Sequence, residues 1–314
     1  MTEQIIYGVE GESDEFKATV ASAQATFKYL WRELSWEARR IVKGLDMAAV
    51  KMSFPIESDD PEVPSVENMW VSDIEFDGHS ITGVLMNEPS WATSFKAWEP
   101  VTLPLALLND WLYVRQGHAY GGFTVDAIRA DMSEDERQEH DEAWGLDFGE
   151  LGFVEVVPAA AGQQPWLLSR TLSRAEDQQT LAVLECTEHP MALNMRDKIE
   201  EGVSAQPQVA RDPDDDGWLM LHREVLAGNY TVVDALLRHG ADPLLPNGTA
   251  RLRWRWQVLP VGRGFWRCWK GRVLTSGGWH SPARLAPTND VISCRSRLCR
   301  RRGPPAHRQK SHSA

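Results

Sequence analysis

Four residues near the middle of the chain are the best candidates for chemistry: Asp110, Trp111, His118 and Tyr120. A histidine is a common general base at neutral pH, and a carboxylate such as that of Asp110 could orient it. The Gly-Gly pair that follows Tyr120 would allow a ligand to approach the backbone closely. In the structural interpretation, the glycines form turns or a bulge, the aromatic rings pack, and Asp110 caps a turn. We favour that interpretation because no nucleophile, phosphate-binding loop or metal-ligand set accompanies these residues.

The elements that must position these residues are short strands. Alternating apolar and β-branched residues predict strands at 50–54, 69–76, 80–86, 101–105, 111–114 and 120–125. The turn at Asp77 and Gly78 is expected to join the second and third strands into a hairpin. Five or six short antiparallel strands fit a strongly curved sheet or a small barrel. Within them, Trp70 and Trp111 are expected to be largely buried.

Helices are predicted on both sides of these strands. Residues 14–45 carry apolar side chains at intervals of three and four, with Ser13 as the N-cap. The capping-box pattern of Ser133 to Glu136 begins a polar helix that runs to about Trp144. The sequence therefore predicts an α+β fold, in which an antiparallel β-rich domain is flanked by helices.

Six motifs in this part of the chain occur in the order of a known bacterial family. They are AVKMSFP at 49–55, MWV at 69–71, ITGVLMNEP at 81–89, NDWLYV at 109–114, AYGGFTV at 119–125 and WGLDFG at 144–149. With them, residues from about 22 to 148 resemble the family called domain of unknown function 2314. The resemblance implies a fold and a bacterial origin, and it carries no activity.

A second resemblance lies at 216–243, which reads DGWLMLHREVLAGNYTVVDALLRHGADP. Residues 216–248 resemble one ankyrin repeat, a truncated α-helical segment in which Leu219-Met220 replaces the usual Thr-Pro and Glu224 replaces a small alanine. Ankyrin resemblance implies protein contact through turns and inner helices, and the candidate contact residues are Trp218, His222, Asn229 and Tyr230. One ankyrin unit cannot bury its own apolar face. We therefore expect it to lean on the first domain or on residues 166–215.

These features divide the chain into four parts. A β-rich domain at 1–157 precedes a linker and accessory helical region at 158–215, in which a helical pattern is interrupted at His189-Pro190. The ankyrin segment follows at 216–248, and a tail of different composition covers 249–314. Leu236, Leu237 and Leu245 are expected to expose an apolar face towards a repeat that the tail does not supply.

The tail differs from the rest of the chain in charge. Residues 1–248 hold 18 Lys and Arg against 44 Asp and Glu, a net charge of −26, whereas residues 249–314 hold 15 against 1, a net charge of +14. Its Arg, Trp, Gly, Pro and Cys content is typical of a GC-rich gene read out of frame, so we interpret it as a disordered, frameshifted tail. Shifting the frame near codon 249 should then restore an ankyrin pattern. The alternative is a nucleic-acid-binding arm in which Arg pairs with phosphate and Trp stacks on bases.

Metal and cofactor chemistry is not expected. Residues 212–217 match the opening of a calcium loop, but the twelfth position, which should supply a bidentate Glu, is Arg223. The tail's Cys and His residues lack a C-x-x-C pair for zinc. Cys186 with His189 has no partner acid at a recognisable spacing. We therefore predict no metal and no cofactor.

Charge and hydropathy also limit the kind of partner and the cellular location that we expect. A net charge of −26 over residues 1–248 repels nucleic acid and favours a protein partner, unless the basic tail is genuine. No apolar run approaches the roughly 20 residues that span a bilayer, and the acidic N-terminus lacks secretory-signal character, so a cytoplasmic location without membrane insertion is expected.

These observations leave two functional hypotheses. The first is a non-catalytic protein-binding or regulatory protein, with an immunity-like role as one form, which binds through the ankyrin segment and the β-rich domain. The alternative is a small enzyme or ligand-binding protein that uses the surface around Asp110, His118 and Tyr120. Convergence of those three side chains in one pocket would distinguish the two functions.

Overall fold

The computed structural model describes residues 13–60, 62–215, 217–243 and 245. The tail at 249–314, with its frameshift and nucleic-acid interpretations, lies outside the described residues. The described residues form an α+β structure, with one main antiparallel sheet and several helices.

Six strands form the main sheet in the order β4-β3-β2-β1-β5-β6, and every neighbouring pair is antiparallel. Their bounds are β1 Met47–Pro55, β2 Val66–Phe76, β3 Ser80–Leu85, β4 Pro100–Pro104, β5 Leu108–Arg115 and β6 His118–Gly121. The expected hairpin joins β2 to β3 through Asp77 and Gly78. Among the described strands β4 and β6 form the two edges, so the sheet is curved and open, and the barrel alternative is wrong.

Helix α1 (Asp14–Glu37) packs on β5. Ser13 caps it as predicted, since its hydroxyl accepts a hydrogen bond from Phe16 N at 3.1 Å. The helix ends at Glu37, earlier than the predicted residue 45. The reason is that the Glu37 carboxylate accepts hydrogen bonds from Gly44 N at 2.8 Å and Leu45 N at 3.2 Å, which turns the chain towards β1.

The main core lies between α1 and the sheet. Its largest fully buried side chains from these elements include Phe27, Phe54, Trp111 and Tyr113. Trp111 is buried as expected, but Trp70 is only half-buried. The pairing of Lys51 with Trp70 explains this, because both side chains lie on the sheet face opposite that of Val50 and Met52.

The predicted strand at 120–125 is wrong beyond Gly121. Helix α2 (Phe123–Ala130) begins there instead. Gly121 and Gly122 both have positive φ, at 82° and 76°, which ends the strand and turns the chain into the helix.

Further elements follow the sheet. Helix α3 (Glu134–Trp144) begins with the predicted capping box of Ser133 and Glu136. A short pair joins β7 (Phe153–Glu155) to β8 (Leu167–Ser169). Helices α4 (Ala175–Cys186) and α5 (Pro190–Ala205) are separated near His189, which caps α5, as the predicted break requires. Two 3-10 turns also occur among the described residues, at Leu105–Leu107 and Pro207–Ala210.

The last described helices are α6 (Met220–Ala227) and α7 (Tyr230–Arg238), which we call the helical pair. The helical pair leans on both expected supports, since α6 packs on α1 and α7 packs on α5. Leu236 is therefore buried, and the expectation that it would be exposed is wrong. Leu237 is half-buried, and Leu245 is exposed as expected.

Candidate functional site

Asp110 lies on β5, with its side chain fully buried at the start of α2. Its carboxylate accepts hydrogen bonds from Phe123 N at 3.0 Å, Thr124 N at 2.6 Å and Thr124 Oγ1 at 2.7 Å. Gly122 at the N-cap position has no side chain, so Asp110 supplies the capping oxygen from the neighbouring strand. Burial raises the pKa of Asp110, while the Thr124 hydrogen bond and the Lys51 charge lower it. This geometry fits helix capping.

His118 begins β6 and is held between two carboxylates. Its Nδ1 lies 2.8 Å from Asp147 Oδ2, and its Nε2 lies 3.2 Å from Glu155 Oε1. The hydrogen bond to Glu155, together with that to Asp147, raises the pKa of His118 to about 9 against the effect of burial. His118 is therefore an imidazolium at neutral pH, with both ring nitrogens donating. An imidazolium has no free lone pair with which to act as a base.

Trp111 and Tyr120 occupy different environments. The Trp111 side chain points to the opposite face of the sheet from that of Asp110, and its Nε1 donates to Ala23 O at 2.9 Å in the core. The Tyr120 ring contacts His118 edge to face, with 4.9 Å between ring centroids. The structure thus brings His118 and Tyr120 together, whereas Asp110 bonds to the start of α2 and Trp111 packs under α1.

Lys51 is a charged residue of this region that sequence reasoning did not single out. It pairs with Trp70 on one side and Asp110 on the other, and its Nζ lies 5.8 Å from the centre of the Trp70 ring. Burial lowers the pKa of Lys51, and the negative charge of Asp110 raises it. The available signal was a lysine inside the otherwise mostly apolar run AVKMSF.

The four residues expected to contact a partner lie on or beside the helical pair, at Trp218, His222, Asn229 and Tyr230. The first three are buried and Tyr230 is half-buried. His222 Nδ1 accepts from Leu219 N at 3.1 Å, and its Nε2 lies 3.0 Å from Leu245 O. Burial lowers the pKa of His222. His222 therefore holds the chain together internally, and contact with a partner through these four residues stays a prediction.

Asn229 contacts α1 instead of solvent. Its Oδ1 accepts from Trp36 Nε1 at 2.9 Å, and its Nδ2 donates to Glu224 Oε2 at 2.9 Å. Glu224 is fully buried and forms an ion pair with Arg39, just beyond the end of α1. Burial raises the pKa of Glu224, and the Arg39 charge lowers it. Glu224, one of the departures from the ankyrin pattern, therefore joins Asn229 in tying the helical pair to α1 and the turn after it.

A second buried pair extends this contact. His189 Nε2 lies 2.8 Å from Glu33 Oε2, and His189 Nδ1 accepts from Met191 N at 3.1 Å. Since Nδ1 is an acceptor, the proton lies on Nε2 and is donated to Glu33. Burial opposes ionisation of Glu33, but the His189 hydrogen bond lowers its pKa. We call the six residues of these contacts the polar junction: Glu33, Trp36, Arg39, His189, Glu224 and Asn229.

An apolar groove of about 390 Å³ lies beside the polar junction. The residues that line it come from the end of α1 and the turn after it, from α5 and from the helical pair. They are Trp36, Arg39, Arg40, Ile41, Val42, Met191, Met195, Ile199, Met220 and Val232, and we call the site the junction groove. The end of α1 with the turn after it, α5 and the helical pair all contribute to the groove, beside the contacts of the polar junction.

The described residues offer neither a metal-ligand cluster nor a membrane-spanning helix. Within that part of the chain, no group of three or more His, Cys, Asp or Glu side chains is placed to hold a metal ion. None of its helices has both the length and the apolar character required to cross a bilayer.

Comparison with known proteins gives three findings. The model of the family described as "Uncharacterized protein conserved in bacteria (DUF2314)" matches residues 13–148. A Neisseria meningitidis serogroup B protein named "Putative ankyrin repeat protein NMB1133/NMB1171" is 40% identical over 243 residues, which cover 77% of this chain and 88% of that protein. The Escherichia coli K12 protein named "Uncharacterized protein YegJ" is 26% identical over 73 residues, or 23% of this chain and 48% of that protein. No solved structure matches the chain.

Proposed function

Because the chain belongs to the family of the meningococcal protein and carries a DUF2314 region at residues 13–148, we propose that it is a non-catalytic protein that binds another protein. Its role would be regulatory, of the kind in which an immunity protein neutralises its target. The helical pair would be an ankyrin unit, and the β-rich domain would contribute to the same binding surface.

The junction groove is the observation that carries this proposal. Single exposed apolar side chains are common, but a contiguous apolar patch with a concave centre is typical of an interaction surface. Here the patch lies where the DUF2314 region meets the helical pair. The name of the meningococcal relative, an ankyrin repeat protein, agrees with such a role.

The enzymatic alternative has no comparable support. It needs His118 as a base, and the two carboxylates around His118 keep it protonated at neutral pH. It also needs Asp110 at a surface, whereas Asp110 is fully buried. A net charge of −26 over residues 1–248 favours a protein partner over nucleic acid.

The experiment is to recover proteins cross-linked to the full chain in a bacterial host, and then to purify the recovered protein and measure complex formation by sedimentation. We expect a complex of defined stoichiometry. An unrelated acidic protein of similar size and charge serves as the control for non-specific attraction. Recovery of the same proteins with this control, or a chain that stays free when mixed with each purified candidate, would contradict the proposal.

A further inference from the structure

The turn after α1 exposes two aliphatic side chains to an unusual degree. Ile41 is 102% exposed and Val42 is 80% exposed, relative to a fully accessible side chain. Both residues lie between α1 and β1, and therefore not at an end of a described range. Two adjacent aliphatic residues at the lip of an apolar groove extend that groove into a continuous patch.

One wall of the junction groove is a stripe of apolar side chains along α5. Met191, Met195 and Ile199 lie at intervals of four on α5, so they form one stripe along that helix. With Met220 from α6, three of the lining residues are methionines, whose flexible thioether side chains adapt to a bound apolar surface. A groove bordered by an apolar helix stripe is the geometry in which an amphipathic helix docks by its apolar face.

The charge of the rim selects among such helices. The sequence from 39 to 43 is Arg-Arg-Ile-Val-Lys, so three cations flank the two exposed aliphatic residues. Both charged residues that line the groove are arginines, in a chain whose first 248 residues carry a net charge of −26. The positive charge of this rim attracts acidic side chains, although the protein as a whole is acidic.

The internal ion pairs leave donors available on Arg39, whereas Arg40 is only 14% exposed and is neutralised by two carboxylates. Arg39 contacts Glu224 through Nη2, and Arg40 contacts Glu37 through Nη1 and Glu33 through Nη2. A guanidinium has five N–H donors, so these contacts fix its orientation without using all of them. The Arg39 side chain remains 36% exposed at the edge of the groove.

We propose that the junction groove binds an amphipathic helix of another protein, with the apolar face of that helix on Met195, Ile199 and Val42 and its acidic residues against the exposed cations Arg39 and Lys43. This inference rests on the proposed protein-binding function and adds the chemistry of the partner. The basic rim then determines which helices bind, and the apolar floor supplies most of the binding free energy.

The test uses two labelled helical peptides of about 18 residues with the same apolar face, one with acidic flanks and one with basic flanks. Fluorescence anisotropy measures their binding to the full chain. At about 50 mM salt the acidic peptide should bind at least about tenfold more tightly than the basic one, and the ratio should fall as salt screens the rim. Equal affinities, or preference for the basic peptide, would overturn the proposal.

Two substitutions separate the floor from the rim. Val42→Asp should weaken the acidic peptide about tenfold or more, and Lys43→Glu should lower the ratio between the two peptides without removing the apolar patch. Val183→Asp, at an exposed valine of α4 away from the groove, is the matched control and should bind as the unaltered chain does. Because both valines are exposed, we expect each variant to unfold at the same temperature as the unaltered chain. That result would show that the variants fold.

Two further outcomes count against the proposal. If sedimentation shows that the free chain is a dimer that Val42→Asp dissociates, a second copy occupies the groove. If anionic vesicles bind the chain and Val42→Asp abolishes that binding, the occupant is a membrane surface. Failure of this inference alone is distinguishable, because Val42→Asp would then still weaken the complex with the purified partner although the acidic peptide showed no preference over the basic one.

Discussion

Helix α1 has two faces that hold the molecule together by different physical means. Towards the sheet it buries aromatic and aliphatic side chains, such as Phe27 and Leu30, against strand residues such as Trp111. Towards the helical pair it presents the polar junction, where charged and amide groups meet and all but Arg39 are buried. Apolar burial is non-directional, whereas buried hydrogen bonds fix a single relative orientation.

The difference teaches how the helical pair, which resembles one ankyrin unit, is held in place without a second such unit among the described residues. A repeat normally buries its apolar faces against identical neighbours. Here α1 and α5 take the place of such neighbours. The buried polar contacts demand complete satisfaction, because an unpaired buried group costs about 1–3 kcal/mol. They therefore specify one docked arrangement, in which the junction groove is formed.

The largest expected effect lies on the apolar face. Trp111→Ala should lower the free energy of unfolding by about 3–5 kcal/mol, since it removes a fully buried indole and its hydrogen bond to Ala23 O. Chemical denaturation measures the change. Trp98→Ala is the matched control, because Trp98 is 73% exposed and its loss should change stability by less than about 1 kcal/mol. Similar losses for both variants would contradict the assigned core.

A smaller effect is expected on the polar face. Glu224→Ala should cost about 1–3 kcal/mol, because Arg39 loses its partner and Asn229 loses an acceptor. Hydrogen exchange should show that amides of the helical pair lose protection while those of β1 and β5 keep theirs. Glu201→Ala, at an exposed ion pair on α5, is the control and should cost less than about 0.5 kcal/mol. Equal loss of protection in the sheet would break the distinction between the two faces.

The third prediction concerns pH and the edge of the sheet. His118 has a folded-state pKa of about 9 against an ordinary value of 6.5, so its stabilising contribution is complete below about pH 6.5 and is lost as pH rises through 9. Because Asp147 is 69% exposed, we expect solvent to reduce this contribution to about 1–2 kcal/mol. The stability difference between the unaltered chain and His118→Gln should shrink by that amount between pH 6 and pH 9.5. A difference that is constant across this range would contradict the assignment.

The smallest effect is expected at the exposed end of the contact between α1 and α4. Lys28 and Glu185 form an ion pair at 2.9 Å. Glu185→Gln should cost less than about 0.5 kcal/mol, and the cost should disappear at high salt. A loss comparable to that of Glu224→Ala would mean that surface charge, rather than the buried polar junction, holds the modules together.

The apolar face could be predicted from the sequence, and the polar face could not. Period-two alternation identified β1, β2 and β3, and the Ser133 capping box located α3. Their signals are local. Asp110 illustrates the limit. It caps α2 through Phe123 and Thr124, but the sequence predicts that the strand continues through the Gly-Gly pair into these two residues.

The same limit applies to the candidate site. Arg39 and Glu224 are separated by 185 positions in the chain, and Glu224 looked like a defect in the repeat. Its function in the fold becomes visible only when α1 lies beside it. Asn229 is predicted from the sequence to contact a partner for the same reason, although its amide is buried against Trp36.

The central claim is that the helical pair is fixed to α1 by the buried contact between Trp36 and Asn229. A double-mutant cycle with Trp36→Phe, which removes the indole N–H, and Asn229→Ala tests that contact directly. We predict a coupling energy of about 1–2 kcal/mol from denaturant unfolding. A coupling energy near zero, with the two losses simply additive, would show that Trp36 and Asn229 do not interact and would contradict the docked arrangement.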